Sequence, residues 1–366
     1  MRILIVGTGT IGKPLIRFFL NTKDTLKIEE VIFHKNKAEE RSVGMLQRFM
    51  NFGAKLAVYS EKFNDFRTLL RPLNLQPHYI FEEALQRADI VIDCTDKGIP
   101  RQLKEKYYKH LTSKLGFIAQ GSETGFGKPY AFDINDSHLV PKVDRFIQVV
   151  SCNTHNGLRL LKSLAFDPDN KGVWNFENLI YTRMYLARRG ADISQDEMPI
   201  GPVVGTPTDP RFGTHQGADI MRVLSSLGAP ANLNIHTVAD IFNQPYMHVV
   251  NFYVFLREHT TKEEVLSRFR HHHLAATTYE KVVNRAYSEG REFGHFGRIM
   301  NQTIICLPTI EVISDGHEVV GRCFTPQDGN ALLSSVAATL WLKYPQTYRQ
   351  IVTDNFYRLP FLFDII

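Results

Sequence analysis

The sequence predicts an α/β protein. A doubly wound parallel sheet is expected over residues 1–150, then an α+β region with a mainly antiparallel sheet over 151–329. A C-terminal helix, at about 330–366, is expected to return and complete the first region. Three observations predict this. Short, wholly apolar runs alternate with amphipathic helical patterns through the first 150 residues, as in a sheet covered on both faces. Beyond Ser151 the strand-like runs lengthen and helices become fewer. The chain has 366 residues, 43% hydrophobic and 22% charged, enough for about two domains with their own cores.

The elements follow in order. Residues 3–6 are an apolar strand; Gly7-Thr8-Gly9-Thr10-Ile11-Gly12 follows, and Leu15, Ile16, Phe18, Phe19 and Leu20 mark a helix. Further strands are expected at 28–33, 54–59, 90–94 and 115–119, with a helix at 81–87. Past a strand at 146–150, a helix is expected at 157–164, a Pro/Asp/Asn/Gly-rich break at 167–172, and strands at 179–186, 233–237, 248–256 and 304–313. Amphipathic helices are expected at 262–269 and 330–342. The segment 190–217, rich in Gly, Pro, Thr and Asp, is too long for an ordinary connection and is a candidate functional loop.

Composition excludes several classes. Cys94, Cys152, Cys306 and Cys323 are scattered, so neither a zinc ribbon nor a disulfide framework is expected, and a reducing cytoplasm is. There is no signal-peptide pattern, and no apolar run reaches the roughly 20 residues that cross a bilayer, so a soluble protein without a membrane partner is expected. The 43 basic and 38 acidic residues leave a charge of +5, which suits anionic small molecules and requires no nucleic acid. The cluster around Arg268 and Arg270 lacks interleaved aromatics and reads as a solvated face. His271, His272 and His273 sit where a helix or turn is expected, and three consecutive histidines point in different directions from a helix, so no metal site is expected.

Two stretches carry chemistry. In the first, Gly7 permits a tight turn, Gly9 lets the backbone approach a pyrophosphate, Gly12 allows close helix packing, and Thr10 and Ile11 complete the loop. The second strand ends Phe33-His34-Lys35-Asn36-Lys37, with no carboxylate before Glu39. An acidic residue there would bind a ribose hydroxyl; His34, Lys35 and Lys37 instead suit a 2′-phosphate, so NADP or NAD is expected with NADP favoured. A solvated basic loop is the other reading. In the second stretch, Ser151-Cys152-Asn153-Thr154 lies between a strand and a helix, where the helix dipole favours a thiolate. A thiolate beside a nicotinamide can attack an aldehyde and pass through a thioester. A buried, inert cysteine is the alternative.

These residues carry a resemblance. Gly7-Thr8-Gly9-Thr10-Ile11-Gly12-Lys13, Asp93-Cys94-Thr95-x-Lys97-Gly98, Lys104-Glu105-Lys106-Tyr107-Tyr108, Gln120-Gly121 and Val149-Val150-Ser151-Cys152-Asn153-Thr154 resemble the archaeal-type (type II) glyceraldehyde-3-phosphate dehydrogenases in order and spacing. Arg188-Arg189-x-Ala191-Asp192, Thr214-His215-Gln216-Gly217-Ala218-Asp219 and Met247-His248-Val249-Val250-Asn251 look like that family's paired-arginine, paired-histidine and catalytic-histidine segments. The resemblance implies a Rossmann domain with a catalytic domain, a homotetramer, and phosphorylating oxidation of glyceraldehyde 3-phosphate with NAD or NADP. It implies Cys152 as nucleophile and His248 as general base. Thr95, Gly98, Gly121, Ser122 and Arg189 would serve the cofactor; Ser151, Asn153, Thr154, Arg188, Thr214 and His215 would hold the substrate and inorganic phosphate.

The sequence also departs from the family. Its pattern after the cysteine is Asn-Thr-Thr-Gly-Leu, whereas this chain has Asn153-Thr154-His155-Asn156-Gly157-Leu158, one residue longer. Gln216 replaces the second of the paired histidines, and Tyr246 stands where the family has a histidine two places before His248. Near the C-terminus the family's Gln-Glu-Ser and Pro-Glu-Asn become Val320-Gly321-Arg322 and Pro326-Gln327-Asp328-Gly329-Asn330. These departures keep two other readings open: a dehydrogenase of another phosphorylated aldehyde or semialdehyde, and a non-catalytic dinucleotide-binding protein.

Overall fold

The computed structural model describes residues 1–191, 201–244 and 246–366. Backbone packing divides the chain into two compact units, one of Met1–Lys128, Val140–Val149 and Ala338–Pro345, the other of Pro129–Leu139, Val150–Ala337 and Gln346–Ile366.

The first sheet, most of which lies in the first unit, is made of strands β1 (Arg2–Val6), β2 (Glu30–His34), β3 (Lys55–Val58), β4 (Tyr79–Ile80), β5 (Ile90–Asp93), β6 (Gly116–Gln120), β7 (Lys128–Tyr130) and β8 (Phe146–Val149). Their sheet runs β4-β3-β2-β1-β5-β6-β8-β7, and the registers from β4 across to β8 are parallel. Ile3, Leu4, Ile5 and Val6 are all fully buried, which is why β1 reads as an unbroken apolar run. The order reverses between β1 and β5, and an open parallel sheet binds ligands beyond its strands' carboxyl ends at such a switch. Helices Gly12–Asn21 and Phe81–Arg87 lie where the periodicity puts them. Val43–Asn51, Phe63–Leu70 and Ile99–Lys106 are further helices that the apolar pattern did not mark. Each buries only two or three residues, a stripe too narrow to show as a period.

The second unit holds β9 (Leu179–Arg189), β10 (Val203–Val204), β11 (Ile235–Phe242), β12 (His248–Leu256), β13 (Ala275–Thr278), β14 (Thr303–Cys306), β15 (Glu311–Ile313) and β16 (Glu318–Thr325). The sheet order is β10-β11-β9-β12-β16-β14-β13, with β15 beside β16. Most neighbours are antiparallel, but β9 pairs with β11 and β13 with β14 in parallel, so the sheet is mixed. Both parallel pairs have a helix between their strands, His215–Ser225 and Val283–Phe293, as a crossover requires. The run expected as one strand at 304–313 is divided by a 3₁₀ turn at Leu307–Thr309, where Pro308 has no N–H to offer a ladder. Residues 192–200, within the candidate loop and including Asp192, lie outside the described residues.

At the centre of this unit, helix Cys152–Leu161 continues into a wide π turn, Lys162–Phe166, and residues 153–166 are all buried. Gly157 admits helix His215–Ser225, since a Cβ there would lie 2.5 Å from Ile220 Cδ1. Arg159, fully buried, donates to Gln302 Oε1 at 2.9 Å and Asp133 Oδ2 at 3.0 Å. Lys162 and Arg349 reach the same carboxylate at 3.0 and 2.8 Å. Burial would raise the Asp133 pKa, but Arg159, Lys162 and Arg349 together hold it well below the usual range. Among the described residues no helix is long and apolar enough to cross a membrane.

Asp133→Asn removes a charge that Arg159 and Lys162 share and is expected to lower stability by roughly 3–5 kcal/mol in denaturant unfolding. Because the native pKa is depressed, the stabilisation is complete above about pH 4 and is lost as pH falls below it toward the native value. The variant should lose that part of the acid dependence, and an unchanged unfolding midpoint would contradict the assignment.

Candidate functional site

Five glycines of the first unit, Gly7, Gly9, Gly12, Gly98 and Gly121, follow the carboxyl ends of β1, β5 and β6. Gly7, at φ +95°, donates to His34 O at 3.2 Å, and a Cβ on it would lie 2.9 Å from Cys94 O. A Cβ on Gly12 would lie 2.1 Å from Gly7 O, so the helix can start this close to β1 only with glycine. Gly9, Gly98 and Gly121 are different: a Cβ on any of them would meet nothing within 4 Å. They follow β1, β5 and β6, and helix Gly12–Asn21 has no side-chain cap on its first turn. This open edge and uncapped N-terminus fit a pyrophosphate.

Around them, Thr95 donates through N–H and Oγ1 to Asp93 at 3.0 and 2.5 Å, and Tyr108 OH donates to the other Asp93 oxygen at 2.7 Å. Gly121 donates to Val149 O and accepts from Gln148, each at 2.8 Å, and Ser122 follows it. His34 is buried between Tyr59 and Phe81, ring centroids 4.6 Å from each. Burial lowers its pKa to about 3, so it brings no positive charge to a 2′-phosphate. Lys35 pairs with Glu39 at 3.1 Å and Lys37 is exposed, so Lys37 is the ammonium of this trio without an ion pair among the described residues. Thr10 and Ile11 are partly exposed in the loop.

The second unit builds a cysteine site. Cys152 is the first residue of its helix, after Ser151 in extended conformation, and its Sγ lies 3.7 Å from His248 Nε2. The Arg189 N–H donates to His248 Nδ1 at 2.9 Å. Since a backbone amide can only donate, the neutral ring carries its hydrogen on Nε2, toward the sulfur. Burial, then the Arg189 and Arg188 guanidiniums, hold the His248 pKa well below its ordinary value. The ring is thus set to donate to a thiolate, and the lone pair that a base at the sulfur needs is taken up at Nδ1. Tyr246, at the family's earlier histidine position, contributes its carbonyl, which accepts from Arg189 Nη1 at 2.7 Å.

Asn330 Nδ2, fully buried, donates to Cys152 O at 2.8 Å and Gln302 O at 3.1 Å, while its Oδ1 has no partner. Ser151 Oγ and Thr154 Oγ1 bond each other at 2.9 Å, and Asn153 Oδ1 accepts from Thr325 at 3.1 Å. Arg188 and Arg189 are consecutive on β9 and so leave it on opposite faces; Arg188 Nε is buried without a hydrogen-bond partner. Thr214 Oγ1 bonds Thr237 Oγ1 at 2.7 Å, with His215 opening the next helix. Sequence reading missed Glu123, which accepts from Gly98 N–H at 2.8 Å and Arg101 at 3.1 Å, as well as Thr325 and the role of Asn330. No spacing rule marks any of them, because each partner is distant in sequence. His272 is buried whereas His271 and His273 are exposed, and among the described residues no cluster of His, Cys, Asp or Glu could hold a metal ion.

No protein-family model matches the chain. It is 28% identical over 278 residues to the glyceraldehyde-3-phosphate dehydrogenase of Pyrobaculum islandicum, covering 74% of this chain and 70% of that protein. It is 27% identical over 333 residues to that of Pyrobaculum calidifontis, covering 88% and 84%. Over most of its length the chain is similar to archaeal glyceraldehyde-3-phosphate dehydrogenases. The corresponding protein of Methanobacterium formicicum is also 28% identical, over 71% of this chain and 69% of that one.

Burial raises the pKa of Cys94 and Cys306, and that of Cys323 to about 12. Iodoacetamide at neutral pH is therefore expected to alkylate Cys152 at least tenfold faster than the other three. Peptide mapping would read the rates, and equal labelling of all four would argue against an activated thiol.

Proposed function

We propose that the chain is a phosphorylating oxidoreductase, converting glyceraldehyde 3-phosphate, inorganic phosphate and NAD(P)+ to 1,3-bisphosphoglycerate and NAD(P)H through a thioester on Cys152. The observation that carries the reading is the Cys152 sulfur at a helix N-terminus, 3.7 Å from a His248 ring whose hydrogen faces it. Similarity to the archaeal enzymes supports the same reaction. The residues to about 150, with the C-terminal helix, would serve the cofactor, and 151–329 the catalysis. The cytoplasmic homotetramer implied by the resemblance belongs to the same proposal.

The Cys152 thiolate, favoured by the helix dipole and the His248 Nε2–H, adds to the aldehyde carbon. The resulting alkoxide is held by the same Nε2–H and by the Asn153 amide. When bound, the dinucleotide supplies an oxidised nicotinamide that accepts hydride from this carbon, leaving a thioester on Cys152. A phosphate oxygen then attacks the thioester carbon, the C–S bond breaks, and Cys152 leaves as thiolate. Arg188, Thr214 and His215 would hold the two phosphate groups, with guanidinium, hydroxyl and imidazole donors suited to anions. Gly7, Gly9, Gly12, Gly98 and Gly121 would take the dinucleotide backbone, and Lys37 a 2′-phosphate.

With glyceraldehyde 3-phosphate, reduction of NADP or NAD should depend on inorganic phosphate and be abolished by Cys152→Ser. Folded wild-type protein without turnover on either cofactor would overturn the proposal. Lys37→Glu should raise KM for NADP about tenfold while leaving NAD within twofold; equal effects on both would remove Lys37 from the 2′-phosphate.

A further inference from the structure

We infer that Thr325 is a positioning residue whose hydroxyl turns the Asn153 amide so that its N–H groups, and not its carbonyl oxygen, face the reacting carbon on Cys152. The inference rests on the proposed thioester chemistry and extends it to a residue outside the cysteine–histidine pair. It comes from a chain of three hydrogen bonds among groups removed from water. Cys323, Asn156 and Thr325 are fully buried and Asn153 is 4% exposed. Cys323 Sγ donates to Asn156 Oδ1 at 3.2 Å, Asn156 Nδ2 donates to Thr325 Oγ1 at 2.6 Å, and Thr325 Oγ1 donates to Asn153 Oδ1 at 3.1 Å.

The direction of this chain follows from its donors. The Cys323 thiol stays protonated because burial pushes its pKa up to about 12. Its S–H fixes the Asn156 oxygen on its own side and sends the Asn156 NH2 to Thr325. A hydroxyl has one hydrogen; once Thr325 has accepted from Asn156, that hydrogen goes to Asn153 Oδ1. Asn153 must then present its NH2 away from Thr325.

The location gives the orientation its use. Thr325 lies directly opposite His248 on the adjacent antiparallel strand, so the two side chains share a face. His248 Nε2 reaches the Cys152 sulfur, and Asn153 follows Cys152 in the helix. An alkoxide formed on Cys152 needs donors; an amide turned the other way would offer it a lone pair. Asn156 comes from the lengthened segment after the cysteine, and Cys323 and Thr325 border the divergent C-terminal motif, so two departures from the family pattern meet in one network.

The test is steady-state turnover of glyceraldehyde 3-phosphate by the full chain. Thr325→Val keeps the shape and removes the hydroxyl, and is expected to lower kcat about 10- to 100-fold with KM within twofold. Cys152 alkylation should stay within twofold of wild type, because the thiolate does not depend on the amide. Thr325→Ser should restore kcat to within about threefold. In an Asn153→Ala background, Thr325→Val should have no further effect. If Thr325→Val does not fold, Thr325→Ala is read by the same criteria. An inactive wild type would sink the functional reading itself. An active wild type with an unimpaired Thr325→Val, a loss seen mainly in KM, or an equal loss in the Asn153→Ala background would overturn the inference.

Discussion

A helix buried on every side cannot leave its polar side chains to water, and helix Cys152–Leu161 is polar for much of its first two turns. Burying an unpaired amide or charge costs several kcal/mol, so each group has to find its partner in the surrounding sheet and loops. Asn153 and Asn156 are met by Thr325 and Cys323. His155 donates from Nδ1 to Ser151 O at 3.0 Å and accepts at Nε2 from Ser334 Oγ at 2.8 Å, and burial lowers its pKa to about 4. Arg159 is met by Asp133, Gln302 and His272. These bonds leave the helix one position along its axis and one rotation about it, and so place Cys152.

The same satisfaction rule sets the chemistry at the sulfur. A backbone N–H from the end of β9 occupies His248 Nδ1, which chooses the tautomer, and burial, followed by two guanidiniums on the same strand, disfavours the imidazolium. In the first unit the rule acts through glycine. Gly7 and Gly12 are required by close contact with backbone, whereas Gly9, Gly98 and Gly121 border open space at the carboxyl ends of their strands. Within the Gly7–Gly12 motif, two glycines thus close the turn and Gly9 borders open space.

Much of this was legible because it is local. The apolar runs of the parallel sheet, the helix at Phe81–Arg87 and the strand at His248–Leu256 follow from side-chain period alone. So does the start of helix Lys262–Arg270, where Thr261 and Glu264 form a capping box. Short helices with two or three buried residues, and β16 with its alternation interrupted at Gly321, were not. The extra residue after Cys152 showed only as a departure from a pattern. The structure continues that helix into the wide turn Lys162–Phe166, a form whose hydrogen bonds span one residue more than those of an α-helix.

Local pattern was enough for the strands of the parallel sheet, the glycine loop, and the cysteine between a strand and a helix, since each depends on neighbours a few residues apart. Packing between distant segments was needed to show that His34 is buried and neutral, that the second sheet is mixed, which nitrogen of His248 faces the sulfur, and that Asn330 and Thr325 hydrogen-bond the cysteine segment. The physical reason is the same in each case. Burial and hydrogen-bond direction are set by atoms brought together from distant parts of the chain, and spacing along the sequence carries no record of them.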